Sequence, residues 1–423
     1  MVGTAIALMI LFAAAVPIGF ALGMAPLIAL EAQRIPLIVI AQAALESLDS
    51  FTLLAIPFYV MAGRIMLAGG MATRLVGLAA ALVGWVRGGL GAAGVLTAMF
   101  FATISGSSSA TAAAIGSILV PEMQKRNYPK PYAAAIVAAS GEIGVIIPPS
   151  IPMVIYAVTV SESIGSLFLA GILPGLLIGF SLMALIIVQS SMRGYGDPTR
   201  FAPREIARDV WAATKRAALS LLMPVIVLGG IYGGIFTATE AAVVAAVYAL
   251  ILGLFVYKEL KWRDLPEILA GSAKTSAIVL IIVAFASVFA YVLTTYQAPQ
   301  AVAGWLTAVT ASPLIFLLLV NGFLFIVGMF METLAAIIIL APVLAPAAIA
   351  FGIDPIHFGT IVVVNLAVGM VTPPVGVNLF VACSISKLRM EQLMPPLLPF
   401  LATLILCLLI ITYVPALSLA LVR

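Results

Sequence analysis

Charge is what this sequence has least of. Asp, Glu, Lys and Arg together make up 9% of its 423 residues, where a soluble globular protein carries about 25%. That deficit excludes water as the main solvent of the folded chain and leaves no room for a sizeable soluble domain. Histidine is almost missing too. His357 is the only one, which argues against a His-based metal centre or a His-activated nucleophile. The two cysteines, Cys383 and Cys407, lie in apolar stretches without metal-type spacing and read as packing residues. No Walker A sequence occurs, so the chain itself is not expected to hydrolyse ATP. The net charge of +4 does not point to a nucleic-acid partner, because Lys and Arg of lipid-embedded chains collect in cytoplasmic connectors.

What is abundant is apolar length. Hydrophobic residues make up 64% of the chain and the mean hydropathy is +1.26. A spanning helix needs about 20 mostly apolar residues, and 167–189, 217–236, 238–257, 275–296 and 396–421 supply them. The N-terminus is apolar from Val2, without a basic start or a small-residue cleavage site, and reads as a first helix. Residues 3–30 fit either one long tilted helix or two short ones broken near 16–19. The fold class is therefore an all-α, polytopic membrane protein with membrane lipid as its surroundings.

Lys and Arg fall in five clusters, at 64–87, 125–130, 193–216, 258–274 and 387–389, which hold 18 of the 20. Placing all five on the cytoplasmic face satisfies the positive-inside rule and constrains what lies between them. Two crossings fit between Arg216 and Lys258. Between Arg87 and Lys125, two apolar arms flank TISGSSSAT (103–111), each too short for a comfortable span, so the segment reads as a re-entrant hairpin. The outward crossing that follows is interrupted by IIPPSIP (146–152). In the second half, arms at 313–327 and 333–350 flank VGMFMET (327–333), and a later crossing is broken by VTPPVGVN (371–378). Glu46 and Asp49 read as interfacial. The segments 71–87 and 298–310, which precede the two hairpins, are amphipathic enough to lie along the interface as arms.

The halves also match residue by residue. SSSATAAAIGSILVP (107–121) aligns with GMFMETLAAIIILAP (328–342), and ASGEIGVIIPPS (139–150) with VNLAVGMVTPPV (364–375), glycine and both prolines in register. The second hairpin enters from the opposite face, so these are inverted-topology repeats, as in secondary transporters with binding sites near the midplane. The expected organisation is a first repeat over 1–191, with its hairpin at 88–124 and broken helix at 131–163. A cytoplasmic connector follows at 192–216. The second repeat covers 217–423, with its hairpin at 313–350 and broken helix at 356–386.

Two Pro-Pro breaks at equivalent places carry the strongest functional signal. Consecutive prolines remove backbone donors and unwind a helix, and unwound backbone at membrane depth is tolerated where it is buried or lines a polar cavity. The freed carbonyls can coordinate a cation. A structural kink is the plainer reading, but the repetition of the break opposite a polar tip favours a site. SGSSSAT offers Ser105, Ser107, Ser108, Ser109 and Thr111 as ligands or hydrogen-bond partners, against the alternative of a small-residue packing face. Near the second break Asn365, Thr372 and Asn378 supply polar groups. Acids at membrane depth are functional candidates, here Glu142 before the first break and Glu332 at the second tip. Glu240 follows Thr237 and is as well placed to cap a helix start. With few positive side chains in the bundle, an anionic substrate is expected to meet hairpin N-termini, hydroxyls, amides and co-bound cations, not a buried Arg clamp.

At SGSSSATAAAIGSILVPEM, GVIIPPSIPMVIYAV, FLAGILPGLL, GIFTATEAA, VNLAVGMVTPPVGVNLFVA and SFTLLAIPFYVMAG the sequence resembles the large membrane subunit, the DctM family, of tripartite ATP-independent periplasmic (TRAP) transporters. The resemblance covers essentially the whole chain. It implies an elevator-type importer of the bacterial inner membrane, driven by a sodium gradient. Its partners would be a four-helix small membrane subunit and a periplasmic substrate-binding protein. By that resemblance one sodium site comprises Ser105 and Ser107 with the carbonyls of Gly144, Ile147 and Pro149, and another Gly328 with Gly369, Thr372 and Pro374. The resemblance further implies mostly carboxylate substrates, including dicarboxylates, 2-oxo acids and sialic acid.

Two positions depart from the family pattern. Glu142 stands where small or hydroxylated residues are usual, and Arg64, in AGRIM, where acidic or amide residues are more common. Glu142 is accordingly expected to couple to the first cation site, through water or as a protonatable competitor, or else to hold the break in place. The rival reading is a stand-alone sodium–carboxylate symporter with similar hairpins and no binding protein. An intramembrane enzyme is disfavoured by the lack of a catalytic His or Asp pair, and a channel by the lack of anything like a selectivity ring.

Overall fold

The computed structural model describes residues 2–14, 16–32, 34–196 and 203–422, and every regular element among them is a helix. The N-terminal stretch forms two helices, α1 (Val2–Ala13) and α2 (Ile18–Ala32). Proline just before a first turn is preset for helix entry, and the Pro17 carbonyl accepts the Ala21 N–H at 3.0 Å. After α3 (Ile38–Leu48), a 3-10 turn leads into α4 (Ala55–Ala68), and together they give one apolar span, Phe51–Ala68. Next comes α5 (Met71–Val83), whose 13 residues reach only about 20 Å.

A buried hairpin follows, α6 (Gly89–Ser105) and α7 (Ser108–Lys125), of 17 and 18 residues. The next crossing is broken into α8 (Lys130–Gly141), α9 (Ile143–Ile146) and α10 (Ile151–Val160), with a 40° bend at the break. The first half closes with α11 (Ile164–Arg193). The second opens with α12 (Pro203–Tyr232), so the C-terminal part of the 192–216 connector is the first half of a continuous 30-residue helix. Residues 197–202 of the connector lie outside the described residues.

A tight turn leads to α13 (Ala238–Ile251), and its start explains Glu240. The Thr237 N–H donates to Glu240 Oε2 at 2.8 Å and the Glu240 N–H to Thr237 Oγ1 at 3.2 Å, a capping box that satisfies two otherwise orphaned donors. Thr237→Ala is expected to cost about 1 kcal/mol, read as a lower melting temperature in detergent; an unchanged one would show that the cap contributes nothing.

Helices α14 (Leu265–Thr295) and α15 (Ala298–Val309) precede the second hairpin, α16 (Pro313–Phe330) and α17 (Thr333–Ala350). With α5, α15 is among the most amphipathic helices and equally too short to cross. The second broken crossing is α18 (Pro355–Met370) and α19 (Val377–Ser386). The stretch expected as one helix over 396–421 starts earlier, as α20 (Met390–Tyr413), and is interrupted before α21 (Ala416–Leu419).

Among the described residues, eight helices are long and apolar enough to cross a membrane, or up to nine with the bent pair counted as one span. Outward-facing Leu314, Ile315, Leu318, Phe323 and Ile326 on α16 are exposed, as lipid allows. The opposite holds for α8 and α18, in which every residue from Tyr132 to Gly141 and from Ile356 to Met370 is buried. All-round apolar surface is what such a central position requires. Around them the partners cross over: α7 packs on α19 as well as on α8, and α17 packs on α10 as well as on α18. On the flank, α14 packs against α2, α3 and α4.

Candidate functional site: two hairpin tips on two broken helices

Gly106, at φ 57°, turns the chain between α6 and α7, a conformation that only glycine adopts without strain. Ser107 then caps α7. Ser105 Oγ and Thr111 Oγ1 lie 2.7 Å apart, and the Thr111 hydroxyl donates to the Ser107 carbonyl at 2.8 Å. A hydroxyl has one proton and two lone pairs, so this knot leaves acceptor capacity on Ser105 and Ser107.

The first break closes on the knot. In a continuous helix the Gly144 and Val145 carbonyls would accept from residues 148 and 149, which are prolines and have no N–H. Ser150 Oγ donates to the Val145 carbonyl in their place. The Ile151 N–H donates to the Gly106 carbonyl at 3.4 Å. A Cβ on Gly106 would lie 3.0 Å from the Pro149 oxygen, and one on Gly144 would lie 2.7 Å from the Ser107 oxygen. The structure thus brings Ser105, Ser107, Gly144 and Pro149 together, with Ile147 in extended backbone between them.

The second break repeats the arrangement. The Gly376 N–H donates to the Met329 carbonyl at 3.3 Å, tying break to tip. A Cβ on Gly328 would stand 3.1 Å from the Gly369 Cα, so the two backbones touch. Thr372 Oγ1 donates to the Val368 carbonyl at 2.8 Å. The breaks differ in cover: everything from Gly141 to Ser150 is buried, whereas Pro374 is exposed. Met370 links the tips, its sulfur 2.8 Å from Thr333 Oγ1 and 3.8 Å from Ser108 Oγ.

A cavity of about 340 Å3 lies between this unit and the flanking helices. Ser105, Ser107, Ser108, Ser109, Glu332 and Arg64 contribute to its wall. Glu332 caps α17, accepting the Leu334 N–H at 2.9 Å. Among the residues expected at the substrate, Ser108 and Ser109 reach this cavity and three do not. Thr111 is held in the tip knot. Asn365 donates to Asn321 Oδ1 at 2.6 Å, and Asn321 donates to Thr412 Oγ1 at 3.1 Å, inside the α16–α18–α20 interface. Asn378 donates to Glu142 Oε1, joining the residue before the first break to one after the second. Both side chains are fully buried, and Glu142 Oε2 and Asn378 Oδ1 have no partner among the described residues.

Arg64, exposed and not a buried clamp, is the arginine that reaches the cavity. Its sequence cluster placed it among cytoplasmic basic residues, yet it lines the cavity from α4. Its place three residues after Met61 in an apolar span was the available signal. Met370 had none, being one apolar residue among many.

Paired hairpins seated on paired broken helices, around a cavity of hydroxyls and one arginine, define a polytopic helical permease. The chain belongs to the DctM component of the tripartite ATP-independent periplasmic transporters, whose family model matches residues 5–417. It is 46% identical over 403 residues to the isethionate TRAP transporter permease protein DctMQ of Oleidesulfovibrio alaskensis, covering 95% of this chain and 63% of that longer protein. The C4-dicarboxylate TRAP transporter large permease protein DctM of Pseudomonas aeruginosa is 45% identical over 377 residues, 89% of this chain and 87% of that one. The sialic acid permease SiaM of Vibrio cholerae is 38% identical over 424 residues, with 100% and 98% covered. The solved YdaH transporter of Alcanivorax borkumensis shares the fold, at a TM-score of 0.63 and 17% identity, over 89% of this chain and 88% of that one.

Proposed function

We propose that this chain is the large permease subunit of a sodium-driven importer that carries a small organic anion, a carboxylate by preference, across the inner membrane. It works with a small membrane subunit and a periplasmic binding protein, and its basic connectors face the cytoplasm. The observation that carries this reading is the doubled tip-on-break contact. On each side a hairpin turn meets a segment whose carbonyls have lost their helical donors. The donor set is oxygen only, from Ser105, Ser107, Gly144, Ile147 and Pro149 on one side and Gly328, Gly369, Thr372 and Pro374 on the other, and oxygen suits a hard cation. No cofactor is needed beyond sodium as the co-transported ion. The hairpin unit would carry cations and substrate past the flanking helices as an elevator.

Proteoliposomes containing the chain, its small subunit and its binding protein would test this, with the ligand that the binding protein retains as the tracer. Uptake is expected with an inward sodium gradient and is expected to vanish without one, whatever ATP is supplied. Full uptake with ATP and no sodium would overturn the coupling. Uptake undiminished when the binding protein is omitted would establish the stand-alone symporter instead.

A further inference from the structure

Arg64 is exposed, and it is set apart by its place in the wall of the cavity beside the first hairpin tip. Arg74 pairs with Glu259 and Lys125 with Glu122. No carboxylate lies within salt-bridge distance of Arg64 among the described residues; its guanidinium donates to Thr275 Oγ1 on α14 at 3.2 Å. Room for it comes from Gly271, one turn earlier, where any side chain would run into the guanidinium. Thr275 spends its own proton on the Gly271 carbonyl, at 3.1 Å. Its oxygen is thereby turned to Arg64 as an acceptor, and the planar group is braced against α14. A guanidinium has five N–H donors. One is used here, and Ser107, Ser108 and Ser109 share the wall of the same cavity. Glu332, the other ionisable side chain of that wall, is engaged by the first turn of α17.

We propose that Arg64 is the specificity-determining cation of the cavity: it receives the carboxylate or sulfonate of the transported anion against the hydroxyls of the first hairpin tip. The inference rests on the anion-uptake reading above and adds to it the group that selects charge. A fork of parallel N–H donors matches a planar carboxylate in a way that a lysine ammonium does not. The flanking helices then hold the charge, and the hairpin unit supplies neutral hydrogen bonds. An anion leaving with the hairpin unit must part from Arg64, so this contact governs capture and not the whole passage.

The test needs no knowledge of the substrate. With Cys383 and Cys407 replaced by alanine, a single reporter, Ser109→Cys or alternatively Ala110→Cys, is placed in the cavity wall of the full chain. Its labelling rates by a sulfonate-bearing and a trimethylammonium-bearing methanethiosulfonate are compared, with the uncharged methyl reagent as a check on folding and access. At about 8 Å and an effective dielectric of about 40, one unit charge alters each charged reagent's local concentration about five-fold, in opposite directions. Arg64→Gln is therefore expected to lower the anion-to-cation rate ratio by about ten-fold or more, while Arg64→Lys retains it. A ratio unchanged in Arg64→Gln, with the methyl reagent's rate also unchanged, overturns the proposal. Because labelling requires no gradient, failed sodium-driven uptake with an Arg64-dependent ratio refutes the transport reading alone; the converse result refutes this inference alone.

Discussion

Gly369→Ala is expected to reduce sodium-driven uptake by about 100-fold, the order of loss that a 1 Å misplacement causes in a preorganised site. The added Cβ would lie 2.6 Å from Gly328 Cα. Both faces of the contact are backbone, so no flexible side chain can swing away, and α16 and α18 must separate. Separation moves the carbonyls at the second break off the second tip. Overpacking of this kind costs about 1–3 kcal/mol, so the variant should still assemble and elute as wild type on size exclusion. Gly322→Ala, on the facing helix α16, is the control, with nothing within 4 Å of its new methyl group. Near-normal uptake by Gly369→Ala would mean that close contact between these backbones is not needed for transport.

Glu142→Gln is expected to change the sodium dependence of uptake at least about five-fold, an effect of roughly 1 kcal/mol, within the usual range of coupling between sites. The substitution suits its surroundings. Gln retains the oxygen that accepts from Asn378, and its amide adds a donor in a place where Glu142 Oε2 and Asn378 Oδ1 are both buried without partners. The variant should therefore be as stable as wild type or more so, because an unmet buried acceptor costs about 1–3 kcal/mol. What it lacks is a carboxyl group able to ionise, two residues before Gly144. If that group's charge is felt at the first break, sodium affinity falls and the pH dependence of uptake flattens. Unchanged sodium and pH profiles in a stable Gln variant would leave Glu142 a purely structural link between the breaks.

The parts legible in the sequence were those whose cause is local. Pro148, Pro149, Pro373 and Pro374 withdraw donors from their own chain, so the breaks could be located without knowing what surrounds them. Gly106 and the serines around it likewise mark a turn by themselves. Helix ends were less clear: the boundary at Tyr413 comes from Val414 and Pro415, short of where the apolar run stops. Side-chain partners were not legible at all. Arg64 meets Thr275 from 211 positions away, and only the packing of α4 on α14 brings it to the cavity. Asn365 has the composition of a ligand and the surroundings of a core residue. Its partners sit 44 positions earlier on α16 and, through Asn321, on α20, and nothing in its own neighbourhood announces them.

The exchanged packing of the two hairpins also bears on how the protein is made. A chain emerges from the ribosome N-terminus first, so α7 and α10 are complete while α17 and α19, the helices they lean on, are still unsynthesised. Glu142 waits for Asn378, 236 residues later. Lipid offers no hydrogen bonds to a polar group in the interval. The nascent first half must therefore keep its carboxylate and its serines turned toward each other, toward trapped water or toward the insertion machinery until the last third of the chain arrives. Neither half is a finished module, and the final step of assembly is the closing of both at once.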